Sequence, residues 1–256
     1  MTKSNSNIAL SFILLLNLVV LVIGINAIGH LSMFLANIIY PSVYFLDKDN
    51  AFLLITIHHF IQALIGLSII GIILLITDHS ISEFGFQLKG FKSSLRPMVL
   101  FGIAFVGVQL IGAFLYVYMF NYPLQFSYVL TPYNFIGQFL FQILLSGTSE
   151  EILFRSLVLF IIAVTTRKYA ENARTIYISK IVISSIVFMA GHLGISFDPF
   201  KIVYVNWLQQ VTCLSVSLFY CWLLLKYKCI YSCMITHNVL NGFVVLITLL
   251  FVLIGK

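Results

Sequence analysis

The chain has 256 residues, of which 61% are hydrophobic and only 9% charged, and its mean hydropathy is +1.07. Soluble domains carry about 25% charged residues, so this composition excludes a water-soluble globular domain and points to a polytopic membrane protein. The net charge of +6 would suggest a nucleic-acid surface in a soluble chain. Here it reads as the basic loops of a membrane protein, and no nucleic-acid partner is expected.

A helix needs about 20 apolar residues to cross the hydrocarbon core. Seven segments qualify, at 8–29, 51–77, 97–120, 134–165, 176–197, 203–225 and 230–254. The fold expected is therefore an all-α bundle of about seven transmembrane spans. The first segment runs on past Ala27 without a small-x-small cleavage site, so it reads as a retained helix and not as a signal peptide. Residues 30–46 are apolar but broken by Pro41. They form an interfacial or re-entrant piece, or continue the first helix, and an eighth span is the alternative count. The polar stretch 78–96 places Phe84, Leu88 and Phe91 on one face if helical. It either lies on the inner membrane surface or is a plain loop with buried phenylalanines. The organisation expected is N-terminal membrane helices over 1–130, a functional helix core over 131–245 and the end of the last helix over 246–256.

The loops orient the bundle. With seven spans and the N-terminus inside, ten of the fourteen Lys and Arg residues fall on the cytoplasmic side: Lys3, Lys89, Lys92, Arg96, Arg167, Lys168, Arg174, Lys180, Lys226 and Lys228. Three, Lys48, Lys201 and Lys256, fall outside, and Arg155 lies in the membrane. That asymmetry follows the positive-inside rule.

Ionisable side chains inside a bilayer cost about 2.5–3.5 kcal/mol each and persist where something pairs or uses them. The candidates are His58, His59, Glu150, Glu151, Arg155, His192 and His237. In "SGTSEEILFR" (146–155) Glu151 and Arg155 stand four apart, acid first, the favourable order for an intrahelical ion pair. Glu150 and Arg155 diverge by about 140°. Glu150 is thus left without a partner on its own helix and is a candidate general base. In "FMAGHLG" (188–194) Phe188 lies one turn before His192, and Gly191 allows a second helix to come close. In "HNVLN" (237–241) His237 and Asn241 share a face, and an imidazole and an amide side by side can both donate to an oxyanion. Each histidine has a plainer reading as an interhelical hydrogen-bonding group. His58 and His59 point about 100° apart and are expected to pack or hydrogen-bond, not to face one site together. Cys229, Cys233 and His237 recur every four residues. That spacing allows a metal stripe, although buried cysteine more often serves as a small apolar residue.

Three motifs, EExxxR at Glu150–Arg155, FxxxH at Phe188–His192 and HxxxN at His237–Asn241, occur in that order on three late apolar segments. Together they resemble the CAAX protease and bacteriocin-processing (CPBP, or Abi) family of intramembrane endopeptidases, which includes the type II CAAX prenyl endopeptidases. The resemblance covers about residues 130–245. It implies that Glu150 activates water, that His192 holds or polarises that water, and that His237 and Asn241 stabilise the oxyanion. Glu151, Arg155 and Phe188 support the site. It further implies a membrane-associated peptide or protein substrate and, from the compact chain with little soluble loop, a bacterial cell membrane. Cofactor need stays open: Glu150, His192 and His237 could bind a divalent metal such as zinc, while a glutamate-activated water needs none. Because the family includes proteins assigned to bacteriocin immunity, a non-catalytic immunity or regulatory role is the alternative. A transporter is the third reading.

Other protease chemistries leave no trace. No HExxH occurs, and "GTSE" lacks the second glycine of a serine elbow. Ser149 with a histidine base is the remaining serine reading. Counting from Lys228, Lys180 and Arg167 puts His237, His192 and Glu150 at depths of about 13, 18 and 25 Å. For these groups to meet, the helix carrying Glu150 must tilt or project, and the site is expected in the cytoplasmic half.

Overall fold

The computed structural model describes residues 3–197 and 200–254. It is a helical bundle with one small hairpin. Helix α1 (Lys3–Val43) is a single rod of 41 residues, about 60 Å at 1.5 Å per residue. Residues 30–46 therefore continue the first helix and form no separate span. Pro41 sits in its last turn, where it removes one ladder bond, that to the Asn37 carbonyl, and the helix ends two residues later. Helix α2 (Leu53–Ile76) follows. Its first backbone N–H groups have no capping side chain next to them. The buried Asp47 carboxylate reaches forward to accept from Ala51, Phe52 and Leu53 at 2.8, 2.8 and 2.6 Å, satisfying the orphan donors of the helix start.

The stretch 78–90 settles as a loop. A single 3-10 turn at Ile81–Phe84 is closed by a capping box between Ser80 and Glu83. The Ser80 N–H holds the exposed Glu83 carboxyl below its ordinary pKa, and His79 adds to the effect. Phe84 is buried against Phe160 in a stacked pair at 3.9 Å while Leu88 is exposed, so the two share no membrane-facing stripe. Gly85 takes φ +88°, and a side chain there would strike Leu224. The carbonyl of Gly85 accepts from Ile230 N–H at 2.8 Å, which docks the loop on a later turn of the chain.

Helix α3 (Phe91–Phe114) runs on into a π-helical turn at Leu115–Met119. The segment expected at 134–165 is helical from Pro132 to Thr165 but is broken by two π-helical stretches. It comprises α4 (Pro132–Phe141), π residues Gln142–Ser146, α5 (Gly147–Glu151), π residues Ile152–Leu157 and α6 (Val158–Thr165). Its start is set by Thr131, whose side chain accepts from Asn134 N–H, with Pro132 at the first helical position, the order expected at a helix N-terminus. Helix α7 (Ala173–Gly191) stops six residues before the expected end of its span. An antiparallel hairpin of β1 (Gly194–Phe197) and β2 (Phe200–Tyr204) fills the gap, in a run rich in Ile, Val, Phe and Tyr that suits strands. Helices α8 (Trp207–Tyr227) and α9 (Ile230–Ile254) complete the chain, joined at Lys228 with φ 56°.

Among the described residues six helical stretches are long and apolar enough to cross a membrane: 7–46, 53–76, 91–119, 173–191, 207–227 and 230–254. The seventh expected span is the π-interrupted helix. Helix α1 packs on α2 and α7, α7 on α8, and α3 on α9, with the π-interrupted helix between α2 and α9. The main core lies along that central helix, where Leu153, Leu157, Val158 and Ile162 meet Val187, Phe188, Tyr220 and Leu223.

Candidate active site

The central helix is fully engaged on one side and open on the other. Glu151 and Arg155 are each 0% exposed, with Arg155 Nε 3.3 Å from Glu151 Oε2. The guanidinium lies 4.0 Å over the Phe188 ring and 5.5 Å from Tyr220, an arrangement that stabilises a desolvated cation. The expected four-residue ion pair is present. Its contact falls short of hydrogen-bond geometry, so charge compensation and ring stacking hold it. Glu151 has a second partner that spacing did not reveal: its Oε1 lies 2.8 Å from His237 Nδ1. Phe188, the residue expected to support the site, touches Arg155, Phe154 and His192.

Glu150 faces the other way, into a cavity of about 660 Å³ bounded by α1, α2, α8, α9 and the central helix. Nor does it lack partners, as its own helix suggested. Its Oε2 lies 3.6 Å from His237 Nε2 and 4.0 Å from His192 Nε2, beyond direct hydrogen bonding. His192 stands just past the end of α7, and its Nδ1 lies 2.8 Å from the Phe188 carbonyl. A carbonyl and a carboxylate only accept, so both Nδ1 atoms carry hydrogen. In the neutral rings this leaves the Nε2 lone pairs toward Glu150. Asn241 also lines the cavity, its Nδ2 donating to Ser146 Oγ at 3.2 Å. The four expected residues Glu150, His192, His237 and Asn241 thus border one space.

Several further residues belong to the site. His58 and His59 both line the cavity, with ring centroids 5.1 Å apart, which corrects the expectation that they would not face one site together. The cavity is wide, so two adjacent positions border it at once. His59 Nδ1 lies 2.6 Å from Ser149 Oγ, and His58 Nδ1 3.0 Å from Ser32 Oγ. The two hydroxyls donate to the Ser146 and Gly29 carbonyls, so each imidazole is the donor in its pair. Ser149 is 0% exposed and has no access to a substrate, which removes the serine-nucleophile reading. Asn238 clasps the central helix: its Oδ1 accepts from Thr148 N–H at 3.2 Å and its Nδ2 donates to Thr148 Oγ1 at 2.8 Å. Gly147 makes this approach feasible, because a Cβ there would meet His237 Cβ at 2.6 Å. Its position just before the paired glutamates was the available sequence signal. The cysteine stripe is packing: Cys229 and Cys233 are buried and free, and the Cys233 thiol donates to the Tyr220 carbonyl. Among the described residues no three His, Cys, Asp or Glu side chains are grouped to hold a metal ion, so no chemistry is derived through one.

The depth arithmetic also closes. Phe160 stacks on the loop residue Phe84, and beside them Lys180 and Lys228 line a small second cavity. From that level Glu150, ten residues back, lies about 15 Å in. Its distance to Asn134, which is tied to Asp49 at 2.7 Å, is sixteen residues or about 24 Å. The last turns of the central helix run past the basic level, so Arg167 was the wrong marker. The site sits nearer the end that carries Glu83, Lys180 and Lys228.

The fold and site together define a polytopic membrane protein with a glutamate and two histidines meeting from three helices. Residues 132–243 match the family model Type II CAAX prenyl endopeptidase Rce1-like. The chain therefore carries an Rce1-like domain, in agreement with the resemblance drawn from the three motifs. No curated protein and no solved structure was found to match.

Proposed function

We propose that this protein is an intramembrane endopeptidase in which Glu150 activates a water molecule that attacks a peptide carbonyl directly. The observation that carries this reading is the convergence of His192 and His237 on one oxygen of Glu150 at 4.0 and 3.6 Å, at the floor of a cavity large enough for a peptide. Gaps of that size suit a bridging water. Such a water donates one hydrogen to Glu150 and one to the Nε2 lone pair of His192, and its oxygen is left facing the substrate. As it attacks, Glu150 takes its proton, and the same carboxyl returns a proton to the departing amine. Asn241 Nδ2–H donates to the tetrahedral oxygen, and so does His237 Nε2–H in the imidazolium form, its second proton taken up from solvent before the substrate closes the site and kept through the cycle. The Glu151 carboxylate on His237 Nδ1 compensates the charge of that imidazolium, and Arg155 in turn compensates Glu151. No acyl-enzyme forms.

The substrate is a membrane-embedded or membrane-associated peptide, reached from the lipid bilayer. The nearness of the site to Lys180 and Lys228, with the bias of basic residues toward that end, supports an active site in the cytoplasmic half. The test is cleavage of an internally quenched peptide library by the protein in lipid nanodiscs, compared with Glu150→Gln. Loss of cleavage in a folded Glu150→Gln protein is the expected result. Equal turnover by both would exclude Glu150 as the base. A phenotype in cells that survives both Glu150→Gln and His192→Ala would favour the immunity or regulatory role.

A further inference from the structure

The cavity wall carries polar groups that the fold does not use. Gln62 on α2 is 5% exposed and lines the cavity, yet its side chain makes no hydrogen bond to any described residue. Gln138 and Gln142, on the central helix before Glu150, line it half-buried and likewise without a side-chain hydrogen bond, and Gln138 Oε1 is fully buried without a partner. Buried amides without partners are costly, about 1–3 kcal/mol each, and rare in native structures. They persist where a ligand completes them. A carboxamide offers one acceptor and two donors, which is what a peptide unit needs on both of its edges. Charge points the same way: apart from Glu150, no Asp, Glu, Lys or Arg among the described residues lines the cavity.

We propose that Gln62, Gln138 and Gln142 form a main-chain-reading subsite that holds an extended, uncharged, internal segment of the substrate against Glu150. A peptide bond inside a helix has its carbonyl and N–H engaged, and unwinding it in a membrane leaves these groups unsatisfied at high cost. The three carboxamides take over those hydrogen bonds. From Gln138 to Glu150 is twelve residues, about 18 Å of helix, which matches about five residues of extended chain. A C-terminal carboxylate finds no Lys or Arg here and meets the charge of Glu150, so the segment is internal. The location of the scissile bond rests on the peptidase reading above; the subsite itself does not.

The test uses the full chain in lipid nanodiscs and acetylated, amidated ten-residue peptides with uncharged side chains. Binding to Glu150→Gln is read by photo-crosslinking, and cleavage by the wild-type protein is read in parallel. Replacing single backbone amides by esters within the bound segment is expected to weaken binding by roughly three- to tenfold at one position or more, the value of one hydrogen bond. Gln62→Met and Gln142→Met each raise the Kd and KM by a similar factor, with kcat within about twofold and with unchanged thermal stability in the absence of peptide. A Lys, an Asp or a free C-terminal carboxylate within the segment weakens binding further. The proposal is overturned if esters and both methionine variants bind as tightly as their parents. Preference for a free carboxylate, or loss of stability in the methionine variants, overturns it as well. Binding that follows the expected pattern without any cleavage would remove the peptidase reading and leave the subsite standing.

Discussion

Two regions meet at the central helix, one sealed and one open, and they use the same residue types for different ends. Below Glu151 every charge has a neighbour: Arg155 at 3.3 Å, His237 at 2.8 Å and the Phe188 ring under the guanidinium, with Glu151 and Arg155 shut off from water. Above Glu150 the contacts lengthen to 3.6 and 4.0 Å, and the space holds amides without partners. One residue step along the helix separates them. Burial with close pairing makes a brace, whereas burial with loose pairing leaves room for a reactant. The two π-helical stretches flank this step, and such stretches are frequent at functional sites.

The contrast is sharpest in the two glutamates. Glu150→Gln removes the base and should lower cleavage by about 10²–10⁴-fold, the range for a general base, without a change in melting temperature. Arg155→Met should instead destabilise the bundle by about 3–5 kcal/mol, because it leaves Glu151 buried and uncompensated. Thermal unfolding in detergent measures this, and an unchanged midpoint would show that the pair is not a brace. Gly147→Ala tests the join between the regions. Its Cβ meets His237 and the Asn238 amide, so a loss of about 1–3 kcal/mol from overpacking is expected, together with a fall in cleavage. Ser149→Ala, which only loosens His59, should leave kcat within a few-fold of wild type; abolished cleavage would restore the serine reading. The smallest effect lies outside the membrane, at Glu83. Its carboxyl pKa is depressed, so its contribution to the 80–84 turn is present above the ordinary carboxylate value and lost as the pH falls through the lowered one. Hydrogen exchange of the turn amides across that range should show protection falling toward low pH.

The sequence made the brace more legible than the cavity. Glu151 and Arg155 are neighbours by helical geometry alone, and EExxxR, FxxxH and HxxxN marked Glu150, His192, His237 and Asn241 before any coordinates. What periodicity did not show was long-range. The bond from Glu151 to His237 spans 86 residues, and that from His59 to Ser149 spans 90. Neither follows from spacing on one helix. The hairpin at 194–204 was hidden because an apolar run of aromatic and β-branched residues fits a buried helix and a strand equally well. The length of α1 was obscured by Pro41, which costs the helix one hydrogen bond but falls only two residues before its end. The unpartnered glutamines carry no sequence signal, since their meaning lies in what does not touch them.

The central claim, that adjacent glutamates divide chemistry from support, is tested most directly by measuring cleavage and melting temperature together for Glu150→Gln and Glu151→Gln in the same nanodisc preparation. The account predicts that Glu150→Gln melts like wild type and does not cleave, while Glu151→Gln melts lower because Arg155 and His237 lose their shared carboxylate. Wild-type cleavage by Glu150→Gln, or equal destabilisation of both variants, would contradict it.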